Sequence, residues 1–216
     1  MSLFLYSSVL LKGALVTLVA WLCAGTLSLL LGTVIGILSC RALVSKRWQY
    51  LLGLYTFVAK GIPAYVQILI AYFVIPALLG VQISGIYAAI GALVFCSSGY
   101  VAQIVRAGMN SIDHGQWEAC LVLGYPIKAT LIRIILPQVF KNILPNLFGE
   151  LEQLLKSTAL LATIGVTELT RTGMNIISRE LNPIPVYLLV ALIYLLFSGV
   201  LQLLAWKVEK RGQSWS

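Results

Sequence analysis

Asn146, Glu150, Gln153 and Ser157 follow one another at spacings of four, three and four residues. A helix carries such a set on one face. They lie in a largely apolar stretch, residues 143–164, where an ionisable group is costly and turns to a cavity or a partner. Glu152 and Lys156 stand four apart and suit an ion pair, which leaves Glu150 as the uncompensated acid. The chemistry this offers is recognition. A carboxylate meets an ammonium or other cation of a bound molecule, and Gln153 and Ser157 supply hydrogen bonds. The plainer alternative puts Glu150 in water near the inner interface, or uses it to hold a neighbouring helix. Gln67, four residues beyond Pro63, is a weaker candidate for the same pathway, with an interhelical hydrogen bond as its equal alternative. The sequence shows neither a nucleophile–base pair nor a ligand cluster, so no catalytic residue and no metal site is expected. His114 reads as solvated or docking.

A second constellation spans residues 118–137, EACLVLGYPIKATLIRIILP. It is too polar for lipid and too apolar for a linker. Residues 118–123 favour a helix that Gly124 can end as a left-handed cap, and Pro126 starts a second element running to Pro137. The result is a helix-turn-helix with Trp117, Leu121 and Val122 available to enter a partner's groove. An amphipathic connector lying on the membrane explains the pattern equally well.

These pieces need an apolar scaffold. Of the 216 residues, 60% are hydrophobic and 10% charged, with a mean hydropathy of +0.95. A soluble domain carries roughly 25% charged residues, so lipid is the expected solvent and the chain reads as one membrane domain over residues 1–216, with a polar inner loop at about 106–141. The net charge of +8 falls in short clusters beside apolar runs, which is a topology signal rather than a nucleic-acid surface. Five spans are expected, at residues 13–40, 50–79, 86–105, 143–164 and 186–206. Each approaches the roughly 20 apolar residues a span needs. With the N-terminus outside, the inner segments hold ten of the fifteen basic residues, among them Arg41, Lys46, Arg47, Arg106 and Arg211. The 118–137 segment is then cytoplasmic. The first run is too long for a cleavable signal and is expected to stay.

Within the first span Ser28, Gly32 and Gly36 recur every fourth residue. That spacing permits close helix approach, although glycine is common in membrane helices anyway. Lys60-Gly61-Ile62-Pro63 breaks the second span, because proline removes a backbone donor. Lys60 either faces a water-filled vestibule or snorkels to the headgroups, the latter being favoured. The four cysteines, Cys23, Cys40, Cys96 and Cys120, read as small apolar fillers. Glu168, Arg171, Arg179 and Glu180 belong to a loop over residues 165–185 whose charges cancel.

Glu118-Ala119, then Gly124, then Ile134-Ile135-Leu136-Pro137 resembles the EAA loop of ABC importer membrane subunits. Cys120 stands where that family usually has a second alanine. Ser98-Gly99-Tyr100, Ile104-Val105-Arg106-Ala107-Gly108, Lys156-Ser157-Thr158-Ala159-Leu160 and Glu168-Leu169-Thr170 extend the likeness over most of the chain, to the polar amino-acid uptake branch. Lys60-Gly61-Ile62-Pro63 departs from that branch's usual Arg-Gly-Thr-Pro, and Ser157 stands where it often has aspartate.

The resemblance implies an all-α membrane protein of the bacterial cytoplasmic (inner) membrane, with a coupling helix between spans three and four. That helix docks on an ATPase through Trp117, Glu118, Ala119, Leu121 and Gly124. The substrate pathway would be lined by Asn146, Glu150, Gln153, Ser157 and Gln67. No GxxxxGK[ST] loop occurs, so no cofactor is expected in this chain, and ATP and Mg would be bound by a partner ATPase dimer. The other implied partners are a second permease subunit (the same or a related chain), an extracytoplasmic amino-acid-binding protein and membrane lipid. The expected function is import of polar amino acids, basic ones slightly favoured. The alternative is an ion-coupled secondary amino-acid transporter, which the lack of internal symmetry disfavours.

Overall fold

The computed structural model describes residues 4–40 and 43–213. Arg41, one of the expected basic residues of the first turn, lies outside the described residues, as does the side chain of Arg211. Among the described residues all regular structure is helical: α1 (Phe4–Leu38), α2 (Lys46–Gly61), α3 (Ala64–Leu69), α4 (Ile75–Leu79), α5 (Gly85–Asn110), α6 (His114–Val122), α7 (Ile127–Ala129), α8 (Leu136–Ser157), α9 (Leu169–Glu180) and α10 (Pro183–Gln213). A π turn at Ile70–Val74 joins α3 to α4, another at Thr130–Ile135 joins α7 to α8, and a 3-10 run, Thr158–Ile164, extends α8.

α5 is the central element. α1 lies along it for most of its length, and α2, α3 and α8 pack on its other sides. The spacing of Gly32 and Gly36 has a structural reason: a Cβ on Gly32 would come within 2.5 Å of Val101 Cβ, and one on Gly36 within 2.6 Å of Val105 Cβ. Only glycine lets the α1 backbone come this close to α5. One core cluster joins α1, α3, α5 and α8 around Ala24, Ile68, Leu93 and Leu154; a second joins α5 and α8 around Val105, Met109 and Val139; a third joins α1, α9 and α10 around Leu10, Leu169 and Val186. The outward faces of α1 and α10 carry a continuous series of exposed leucines, including Leu15, Leu30, Leu188, Leu195 and Leu203. That is a surface for acyl chains, not water.

The segments 6–38, 85–110 and 183–210 are each long and apolar enough to cross a membrane, and α2 with α3–α4 makes a fourth span if the pair, bent by 96°, counts as one. The expected span over residues 143–164 does not reach that measure, because α8 concentrates Asn146, Glu150, Glu152, Gln153 and Lys156 in one helix. The first helix begins well before the expected residue 13, so Lys12 sits inside it rather than at its edge.

The 96° bend follows from Pro63. The Ala59 carbonyl would normally receive the N–H of residue 63, which proline lacks. The Gln67 amide replaces it, donating from Nε2 to Ala59 O at 2.8 Å and to Ile62 O at 2.7 Å. The expected end of the second polar element at Pro137 is also corrected. The chain continues from α7 through the π turn into α8 without a break, because the wider π turn immediately before Pro137 absorbs a residue that an uninterrupted α-helix would reject.

Candidate functional site

Two sites emerge. The first is a cavity of about 370 Å³ where α8 faces the bend between α2 and α3 and the middle of α5, lined among others by Lys60, Pro63, Cys96, Ser97, Tyr100, Glu150, Gln153 and Ser157. It brings together three of the residues expected to share a face. Glu150 is half-buried, and its Oε1 accepts a hydrogen bond of 2.7 Å from the Ser97 hydroxyl. Glu152 and Lys156 pair at 2.7 Å away from this wall, and Gln202 donates to the second Glu152 oxygen at 3.3 Å. Glu150 therefore keeps its charge free of that pair.

Asn146 departs from the expectation. It lines an adjoining cavity of about 510 Å³ with Gln103, Ser111 and Asn142, and the two cavities share Lys60 and Tyr100. One further helical turn carries it past the bend that forms the first cavity. Gln67 departs too. It is buried, its amide nitrogen spent on the carbonyls of Ala59 and Ile62, and it lines a separate, mostly apolar cavity with Ile70 and Phe95 instead.

Of the two positions open to Lys60 in the sequence, the structure takes the less favoured one, facing a cavity. Its ammonium lies 5.3 Å from the centre of the Tyr100 ring, an attraction that holds it inward rather than toward headgroups. Cys96 also lines the cavity. The signal for Ser97 was present in the small polar run Ser97-Ser98-Gly99 in mid-span.

The second site is α6. Asp113 caps its start, accepting the Gly115 N–H at 2.6 Å. Its end is a Schellman turn: Tyr125 N–H reaches Cys120 O at 2.9 Å, Gly124 N–H reaches Leu121 O at 3.0 Å, and Gly124 has φ +71°. Pro126 then restarts the helix, as expected. Gln138 donates to Gln116 at 2.8 Å and fastens α6 to α8. Glu118, Ala119, Leu121, Val122 and Leu123 face outward, with Leu121 79% and Val122 84% exposed. Trp117 does not join them. It packs against the α5–α8 core on the same face as buried Cys120, three residues on, so Leu123 replaces it on the free surface.

A third cluster is structural. Glu168 is fully buried and caps α9, accepting from Thr170 N at 2.8 Å and Arg171 N at 2.7 Å, with the Tyr194 hydroxyl at 3.0 Å. Thr17 of α1 accepts the Leu169 N–H at 3.1 Å. Burial pushes the Glu168 carboxyl above its ordinary value, and the four hydrogen bonds from Thr170, Arg171 and Tyr194 pull against that. Glu180 at the other end of α9 accepts from the Tyr6 hydroxyl. The two acids of the loop are thus fixed anchors rather than cancelling surface charges.

Comparison with known proteins decides what this framework is. Residues 28–211 match the family described as the binding-protein-dependent transport system inner membrane component. The chain belongs to that family. The permease is 34% identical over 205 residues to the arginine transport system permease protein ArtQ of Bacillus subtilis (strain 168), covering 95% of this chain and 93% of that one. It is 32% identical over 202 residues to the putative glutamine transport system permease protein GlnP of Rickettsia felis, covering 93% and 91%. Among solved structures, an amino acid ABC transporter crystallised with histidines matches with TM-score 0.86 and 32% identity over 95% of each chain. The MetNI methionine ABC transporter shares the fold, at TM-score 0.80 and 18% identity. The protein is therefore an ABC importer permease, a multi-pass component of the cytoplasmic membrane and a transport subunit rather than an enzyme. The alternative of an ion-coupled secondary transporter gives way to this membership.

Proposed function

We propose that this permease moves polar amino acids, cationic ones favoured, through the cavity beside Glu150. One observation carries the reading: Glu150 and Lys60 line the same cavity, and among the described residues the only ion pair is Lys156 with Glu152. A cavity that presents one carboxylate and one ammonium, unpaired with each other, suits a zwitterion. Glu150 receives the ammonium or a cationic side chain, Lys60 receives the carboxylate, and Gln153 and Ser157 complete the hydrogen bonding. The volume lies within the roughly 300–1,000 Å³ of small-molecule sites. The names of the relatives, which concern arginine and glutamine in those proteins, agree with this class.

The proposal extends to the assembly. Five spans cross the membrane with the N-terminus outside, α8 being the fourth in chain order and shielding its polar face against the cavity. α6 is the cytoplasmic coupling helix, and Leu121, Val122, Glu118 and Ala119 meet an ATPase dimer that holds ATP and Mg. A second permease subunit faces this one, and an extracytoplasmic binding protein delivers the amino acid. Closure of the ATPases biases inward- and outward-facing states through differential contacts.

Proteoliposomes holding the permease with its ATPase, enclosed ATP and added binding protein test the reading. Labelled arginine, histidine, glutamine and glutamate are compared. Uptake that requires ATP and is fastest for a cationic substrate is expected. Uptake driven by an ion gradient without ATP would refute it.

A further inference from the structure

A separate polar cavity of about 420 Å³ lies where the end of α1 meets the start of α2 and the end of α5, lined by Ser39, Lys46, Gln49, Tyr50, Arg106 and Asn110. It is on the face that also carries α6, three residues beyond α5. Two cations line it and no carboxylate does. Among the described residues neither cation forms an ion pair. Asp113, the acid nearest to Asn110 in the chain, is engaged by the Gly115 N–H at the cap of α6. The Ser39 hydroxyl donates to the Ile35 carbonyl, and the Gln49 amide gives one of its two N–H groups to the Val44 carbonyl. The donors left to a ligand are the Lys46 ammonium, the Arg106 guanidinium, the Asn110 amide, the Tyr50 hydroxyl and the second Gln49 N–H. That set is one-sided. It has strong positive charge, a planar fork and neutral donors, the equipment of a phosphate site.

The rim points the same way. Trp48 and Tyr50 are 59% and 75% exposed, and Leu38 and Leu51 beside them are exposed as well. Aromatic residues flanking basic ones mark the headgroup level of a bilayer, with apolar side chains continuing toward the acyl region. Nothing in the transport pathway uses these residues.

We propose that this cavity binds a phosphate group, carried by an anionic phospholipid headgroup of the adjoining leaflet or free in the surrounding water. The aromatic rim favours the lipid. Lys46 and Arg106 neutralise the phosphate, Asn110 and Tyr50 donate to its oxygens, and the lipid chains run along Leu38 and Leu51. The site is independent of the amino-acid cavity and stands or falls separately from it.

Native mass spectrometry of the full chain with phosphatidylglycerol, phosphatidylcholine and inorganic phosphate, added singly and in competition, tests this. The wild type should retain phosphatidylglycerol in preference to phosphatidylcholine. Arg106→Gln should weaken that preference about fivefold and the double change Lys46→Gln with Arg106→Gln about 25-fold, from the attraction of one cation each. Asn110→Asp, at an exposed position, should weaken it while leaving both cations in place. Persistence of the lipid in millimolar phosphate assigns the site to the headgroup. Displacement by phosphate keeps the site and makes free phosphate its ligand. Equal retention of the two lipids, or a preference untouched by the double change, would overturn the proposal.

Discussion

The Ser97 hydroxyl donates to the Glu150 carboxylate at 2.7 Å, joining α5 to α8 at the wall of the cavity. This bond aims the carboxylate. One oxygen is held by the protein and the other is left for a cation. Ser97→Ala removes a hydrogen bond to a charged group, worth about 1.5–3 kcal/mol. Transport should persist with an apparent KM for arginine raised roughly tenfold or more, read from initial uptake rates. An unchanged KM would show that Ser97 does not orient the acid.

The exposed tip of α6 should govern coupling without governing the fold. Leu121 touches little of its own chain at 79% exposure, so Leu121→Asp should change stability by no more than about 0.5 kcal/mol. If Leu121 is an anchor of the interface, copurification with the ATPase should fall by about 30-fold, the size of a hot-spot loss of roughly 2 kcal/mol. Gly124→Val should act differently. It forces a β-branched residue to φ +71°, costing about 1–2 kcal/mol, and displaces the whole tip. Full ATPase binding by Leu121→Asp would remove α6 from the docking role.

Glycines on α1 and α2 should respond in opposite directions. A Cβ on Gly32 would meet Val101 Cβ at 2.5 Å and Ser98 O at 2.7 Å, whereas one on Gly53 would meet nothing within 4 Å. Gly32→Ala should destabilise by about 1–3 kcal/mol through overpacking. Gly53→Ala should stabilise by up to about 1 kcal/mol through helix propensity. Thermal unfolding in detergent separates them, and equal shifts would contradict the close α1–α5 contact.

Glu168 gives stability a pH dependence. Burial raises its carboxyl above the ordinary 4.5, so in the window between 4.5 and the raised value the folded chain holds more protons than the unfolded one. Stability attributable to this group then falls as pH rises through that window and is greatest below it. Glu168→Gln removes that slope. Thermal unfolding of wild type and variant, measured from neutral pH down toward 4.5, should diverge in the wild type's favour as pH falls. A constant difference would place the Glu168 titration outside this account.

What could be read from the sequence was what local chemistry determines. Gly124 and Pro126 punctuate α6 through backbone conformations their neighbours cannot avoid, and the helical period alone puts Glu150, Gln153 and Ser157 on one wall. The Glu152–Lys156 pair follows from the same period. Lys60 was misjudged because its direction depends on a 96° bend and on a tyrosine forty residues away. Trp117 was assigned to the partner surface because the period does not say which face of a short helix the core claims. Glu168 looked like a loop charge because Tyr194 and Thr17, its partners, are distant in the chain. Asn146 shares the spacing of its neighbours but lies one turn beyond the bend.

The most direct test of the central claim is ATP-dependent arginine uptake by reconstituted permease carrying Glu150→Gln. The change keeps volume and a hydrogen-bond acceptor for Ser97 while removing the charge. The account predicts that arginine uptake falls at least tenfold while the permease still binds its ATPase. Arginine uptake at the wild-type rate in Glu150→Gln would contradict the carboxylate's role in recognising the substrate.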